Sequence, residues 1–161
     1  MKFLSGTEKE SALEFLIKTV EVARGSTCDR AHCGSIIVNN NKIIGKGFNS
    51  PPGADESSRR CSCKKTSYNQ KVTDKTCCVH AEQRAIMDAL KNNAENIICS
   101  RLYFIRLDEN DNPAYSGKPY CTICSKMALD VGIKEFVLFH KEGICVYNTK
   151  EYNDWSFSYK E

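Results

Sequence analysis

Two short strings constrain this chain more than anything else in it: His80-Ala81-Glu82 and Cys121-Thr122-Ile123-Cys124. The first offers an imidazole and a carboxylate, the second two thiols. Cysteines three apart at a helix start turn both thiols to one side. The positive end of the helix favours their thiolate form. His80 stands at the start of its own expected helix. A fold that uses both strings must bring two helix starts face to face around one metal ion. Such a nitrogen and sulfur set suits zinc, and a catalytic centre leaves the fourth position to water. Glu82 then stays outside the coordination shell as a proton shuttle, serving a water whose pKa can fall to about 7. Taken singly, the cysteine pair also fits a structural zinc half-site or a redox couple, and His-Ala-Glu means little. Their order and their shared place at helix starts favour the catalytic reading.

The 161 residues suit one domain, residues 1–161. A net charge of +3 is too small to argue for nucleic acid by itself. Charged Glu8, Lys9 and Glu10 follow the N-terminal residues at once, leaving no signal-peptide core. No segment approaches the ~20 apolar residues of a membrane span. Ten cysteines without export point to metal binding and core thiols rather than disulfides. The expectation is a cytoplasmic protein with no membrane partner.

Helical spacing of Ala12, Leu13, Leu16, Ile17, Val20 and Ala23 predicts a first helix to about Arg24, opened by a capping box at Thr7-Glu8-Lys9-Glu10. Ser35–Val38 reads as a buried strand. Asn39-Asn40-Asn41 turns it into a hairpin with 42–48. Residues 49–79 form a long cysteine-rich insertion, of a length that calls for a function or an internal tether. A helix follows from His80 to about Asn92, with Ala81, Ala85, Ile86, Ala89 and Leu90 as its stripe. Then come a strand at 102–105, a polar loop at 108–117, a helix at 121–131 and strands at 136–139 and 144–147. An aromatic tail carries Tyr152, Trp155, Phe157 and Tyr159. This alternation predicts an α/β fold, a three-layer α/β/α sandwich.

The spacing His-x-Glu followed by Cys-x-x-Cys is a signature of zinc nucleobase deaminases. With Ser26-Thr27-Cys28-Asp29-Arg30, Cys33-Gly34-Ser35-Ile36-Ile37-Val38, Gly47-Phe48-Asn49-Ser50-Pro51-Pro52 and Val79–Ile86, the chain resembles the cytidine/deoxycytidylate deaminase superfamily over about residues 10–140, closest to the deoxycytidylate branch. That resemblance implies a mixed five-stranded sheet, deamination of a cytosine nucleotide, dCMP first, and a homo-oligomer. It implies His80, Cys121 and Cys124 as zinc ligands and Glu82 as the shuttle. Asn49 would bond the sugar, Gly34 and Ser35 would line the base pocket with backbone groups, and Ala81 would also contact the substrate. Tyr120 takes the place of the family's proline before the first zinc cysteine and would present its carbonyl to the leaving amine. The interval from His80 to Cys121 is longer than usual in this branch, which makes the 108–119 loop a candidate specificity element.

Cys28, Cys61, Cys63 and Cys78 resemble the ligands of a second, structural zinc in some relatives, with Cys77 or His32 able to complete the set. Cys33, Cys99 and Cys145 read as core thiols. Arg59, Arg60, Lys64 and Lys65 form a small basic patch, ordinarily solvated but placed to meet a phosphate. Other classes stay open: a deaminase of another nucleoside or free base, one acting on tRNA or single-stranded DNA, or a zinc module with no activity. A polymer substrate would call for basic tracks and stacking aromatics, so a small-molecule substrate is expected.

Overall fold

The alternating apolar runs assemble into one mixed sheet in a computed structural model that describes residues 1–160. Its strands are β1 (Lys2–Phe3), β2 (Cys33–Asn39), β3 (Lys42–Phe48), β4 (Arg101–Leu107), β5 (Pro113–Ala114), β6 (Glu135–His140) and β7 (Gly143–Asn148). They lie in the order β1-β7-β6-β4-β2-β3, with β5 paired to the end of β4. The five longer strands match the expected five. Two-residue β1 and β5 extend the sheet to seven, because backbone pairing at an edge needs no apolar run to announce it. Only β4 and β6 run parallel, and a parallel pair needs a crossover.

Four helices cover the sheet: α1 (Gly6–Ala23), α2 (Ala81–Asn92), α3 (Thr122–Asp130) and α4 (Thr149–Phe157). Helix α1 packs Phe15, Leu16 and Val20 on Ile36, Tyr103 and Val137. On the opposite face Ala85 and Ile86 of α2, Ala128 of α3 and Tyr152 of α4 pack on Ile37, Leu102 and Phe136. Ile36 and Ile37 feed different cores because successive strand side chains point to opposite faces. These are the three expected layers. No helix among the described residues is long and apolar enough to cross a membrane.

Some local expectations fail for identifiable reasons. The buried face of α1 is turned: Leu13 and Ile17 are 48% and 55% exposed, while Phe15 and Thr19 are buried. Thr19 can go inside because its hydroxyl donates to the Phe15 carbonyl at 2.7 Å. The Thr7 capping box does not form, since the helix already starts at Gly6 and Ser5 is its N-cap. Leu90 of α2 is exposed. Cys99 is also exposed, in left-handed backbone, rather than in the core, whereas Cys145 is buried and Cys33 half-buried. The aromatic tail is mostly α4, capped by the Asn148 side chain accepting from the Lys150 N–H at 3.0 Å. Tyr152 stacks on Phe136 with ring centres 4.1 Å apart.

Two glycines set the distance between helices and sheet. A Cβ on Gly34 would stand 2.6 Å from the Thr19 carbonyl oxygen of α1. A Cβ on Gly47 would strike the Ala81 carbonyl and the Ala85 amide nitrogen of α2. Gly47 thus lets the first turn of α2 rest on β3, and that turn carries His80 and Glu82. Gly47→Ala is expected to destabilise the fold by ~1–3 kcal/mol, as overpacking does. Urea unfolding should show a lower midpoint; an unchanged midpoint would mean that α2 does not sit this close.

Candidate active site

Helices α2 and α3 begin beside each other, each with a ligand-type residue as its N-cap. His80 caps α2, and its backbone N–H donates to the Gln83 side-chain oxygen at 2.9 Å. Its Nδ1 lies 3.2 Å from the Cys121 Sγ and 3.3 Å from the Cys124 Sγ. Cys121 caps α3, its sulfur accepting from the Cys124 N–H at 3.4 Å. Both cysteines are buried. A tetrahedral zinc with Zn–N near 2.0 Å and Zn–S near 2.3 Å holds N and S about 3.5 Å apart. The three side chains are therefore close to coordination distance, and their donor chemistry fits zinc.

The electrostatics divide the cysteine pair: its hydrogen bond with Cys121 and then burial push the Cys124 thiol well up. Cys121 is pushed down to about 4, first by its hydrogen bond with Cys124 and then by His80, against the effect of burial. The Cys121 sulfur in turn pushes His80 up to about 9. The protein prepares a thiolate, the metal-binding form of cysteine. Glu82, only 5% exposed, is raised to about 7, chiefly by burial and then by Cys121. A carboxyl with its pKa near neutrality can both accept and donate a proton.

Glu82 lines a cavity of about 250 Å³ with His80, Ala81, Ala31, Cys33, Asn49, Phe104 and Tyr120. Ala81 and Tyr120 are on the wall, and the Tyr120 ring lies 5.9 Å from that of Tyr159. Gly34 and Ser35 are not. The backbones of both residues are paired inside the sheet, with β3 on one side and β4 on the other, and the Ser35 hydroxyl donates to the Tyr103 carbonyl at 2.9 Å. Cys33 and Phe104 line the cavity instead. Burial, with Glu82 nearby, pushes the Cys33 thiol up to about 12, and Cys33 belongs to neither cluster of metal-type donors. The alternation of β2 could have suggested Cys33; nothing local pointed to Phe104.

Asn49 touches the cavity but is heavily engaged. Its Oδ1 accepts from the Ser26 hydroxyl at 2.6 Å and the Cys33 N–H at 2.9 Å, and its Nδ2 donates to the Ala31 carbonyl at 2.9 Å. One amide hydrogen remains free of these bonds. The residues at 108–111 wall a neighbouring cavity of about 660 Å³ rather than this one. His32 is 3.1 Å from Asp111 there and belongs to no thiol group.

A second cluster joins Cys28, Cys61 and Cys78. The Cys61 and Cys78 sulfurs are 3.8 Å apart, and Cys77 brings its sulfur to 3.2 Å from Cys61. Cys63 is outside the cluster. A tight turn, closed by the Cys63 N–H on the Arg60 carbonyl at 3.1 Å, sends it toward Tyr68 instead. Cys28, Cys61, Cys77 and Cys78 also line the cavity that holds Glu82.

The sequence model described as the cytidine and deoxycytidylate deaminase zinc-binding region matches residues 7–140. A deoxycytidylate deaminase of Schizosaccharomyces pombe is 26% identical over 121 residues, 73% of this chain and 33% of the relative, so the chain spans about a third of that protein's length. The dCMP deaminase of cyanophage S-TIM5, solved in complex with dCMP and dUMP, is 25% identical with a TM-score of 0.53, covering 83% of this chain and 81% of its own. A cytidine deaminase from Burkholderia pseudomallei shares the fold at 16% identity and a TM-score of 0.54, covering 86% of this chain and 94% of its own.

The bonds of Asn49 generate a stability prediction. Asn49→Ala should cost about 2–3 kcal/mol, since buried donors and acceptors lose their partner. Thermal unfolding reads this; a variant as stable as the parent would free Asn49 for a purely binding role.

Proposed function

This chain belongs to the cytidine and deoxycytidylate deaminase family, and on that premise we propose that it hydrolytically deaminates a cytosine nucleotide, converting dCMP to dUMP with release of ammonia. The observation that carries this reading is a buried carboxylate, Glu82, facing a small cavity beside an imidazole and two thiols. His80, Cys121 and Cys124 would hold the zinc. A bound zinc would supply the Lewis acidity that lets water ionise near neutral pH. The Glu82 carboxylate accepts the proton of the attacking water and delivers it to the ring nitrogen of the base. It then takes the second proton from the hydroxyl now bonded to the ring carbon and passes it to the exocyclic amine, whose bond to that carbon breaks as the carbonyl forms, so one group acts twice as base and twice as acid. Ala81, Phe104 and the neutral Cys33 exclude water around the ring. The Tyr120 carbonyl receives the leaving amine, and the remaining Asn49 amide hydrogen meets the sugar.

Cys28, Cys61 and Cys78, with Cys77 in place of Cys63, hold a second, structural zinc that orders the insertion. The 3.8 Å between Cys61 and Cys78 supports this, being about the sulfur spacing of a tetrahedral site. The chain acts as one catalytic domain in a cytoplasmic homo-oligomer, with a single nucleotide rather than a polymer as its substrate. The small cavity supports that substrate size.

Ammonia release should be measured across dCMP, CMP, deoxycytidine, cytidine, dCTP, guanine and a tRNA pool, with dCMP expected to react fastest. Silence across this panel with zinc bound would remove the proposal. Glu82→Ala should retain metal and fold but lose ~10²-fold or more in kcat, the scale of general acid–base catalysis. Retained turnover would take Glu82 out of the chemistry. Metal analysis should give two zincs per chain, falling to one in either His80→Ala or Cys78→Ser. A parent value of one would leave the second cluster as loose thiols.

A further inference from the structure

Besides His80, the cavity that holds Glu82 has two basic side chains on its wall, Arg30 and Lys65. They are differently committed. Arg30 donates from Nε and Nη2 to the Cys61 carbonyl at 3.0 and 2.7 Å, and from Nη2 to the Cys63 carbonyl at 3.2 Å. Its guanidinium thereby clamps the cysteine-rich insertion onto the segment after α1. Arg59, nearby, is neutralised by Asp29 at 2.8 Å and by Glu56, and does not line the cavity.

Lys65 is exposed and forms none of the ion pairs seen among the described residues. Asp74 lies close enough for the Lys65 charge to lower its pKa, but its Oδ1 is turned to the Thr76 N–H at 2.9 Å and hydroxyl at 2.6 Å, and no ion pair joins it to Lys65 among the described residues. The clamp fixed by Arg30 ends two residues before Lys65, so the lysine is held near the cavity by backbone rather than by a charge partner. At about 250 Å³ the cavity is smaller than the ~300–1,000 Å³ of most ligand sites. It has room for a base and sugar, and a group on the sugar's 5′ carbon would project to the rim.

We infer that Lys65 recognises the 5′-phosphate of the substrate and so selects a nucleoside monophosphate over the free nucleoside. This rests on the deaminase reading above and assigns its specificity to one residue of the insertion. An ammonium on a flexible stem binds phosphate as a point charge. Lys64, its exposed neighbour, does not line the cavity and serves as an internal control.

The test is steady-state kinetics of the metal-loaded protein on dCMP and on deoxycytidine, with metal content checked for each variant. Lys65→Ala should raise KM for dCMP by ~10-fold or more, the scale of one charge-assisted hydrogen bond. It should leave kcat and both deoxycytidine constants unchanged. Lys65→Arg should recover part of the loss, and Lys64→Ala should match the parent. An unchanged dCMP KM in Lys65→Ala, or an equal loss on both substrates, overturns the assignment. So does a parent enzyme indifferent to the phosphate, although deamination itself then stands. A parent that turns over neither compound overturns the deaminase reading and this inference together.

Discussion

The structure depends on two helix starts that converge on one point. Each brings the partial positive charge of its unsatisfied N–H groups, so the point where they meet would by itself repel a cation. The two cysteines reverse that. Cys121 sits as the N-cap of α3, and Cys124 lies one turn in, fully buried. A thiolate at Cys121 offsets both helix ends and, in the proposed function, would turn a positive pole into a place for a dication. The rest of the fold keeps the poles in register. Gly47 lets α2 lie on β3, and α3 is carried in the connection between the parallel strands β4 and β6.

The insertion at 49–79 follows from the same need for tethers. Its sequence offers almost no apolar side chain to pack, so burial cannot order it. Instead it holds to the body through an isolated bridge between Ser50 and Val79, the Arg30 clamp and a cluster of thiols. Because those thiols share a cavity with Glu82, order in the insertion and the shape of the substrate site are coupled. A loop fixed this way can place a charged group at the cavity without a core of its own.

Much of this was legible along the chain. The hairpin was marked by Asn40 and Asn41, which take the left-handed conformations that a two-residue turn demands. The helix carrying His80 was marked by its stripe, and Glu82 by its place beside the ligand. Other features were hidden. The face of α1 was misread because Leu13 and Ile17 look apolar, while Thr19 goes inside through a hydrogen bond that sequence does not display. Helix α4 was obscured by its aromatic content, although Asn148 as a cap was a usable sign. Cys63 was a ligand candidate by resemblance, yet it stands outside the group formed by Cys28, Cys61 and Cys78, a placement set by a tight turn at Arg60 that spacing does not display.

The sequence by itself determined the layers and the chemistry at the two helix starts. Both are local properties, set by side-chain period and by residues a few positions apart. Tertiary structure decided what surrounds that chemistry. Whether Gly34 or Cys33 faces the cavity depends on which side of β2 receives α1, a choice made by packing and not by β2 itself. Phe104, Arg30, Lys65 and Glu82 come from four separate segments and meet only when the sheet closes. The reactive groups were written in motifs, but the walls that select a substrate exist only after long-range contacts bring distant segments together.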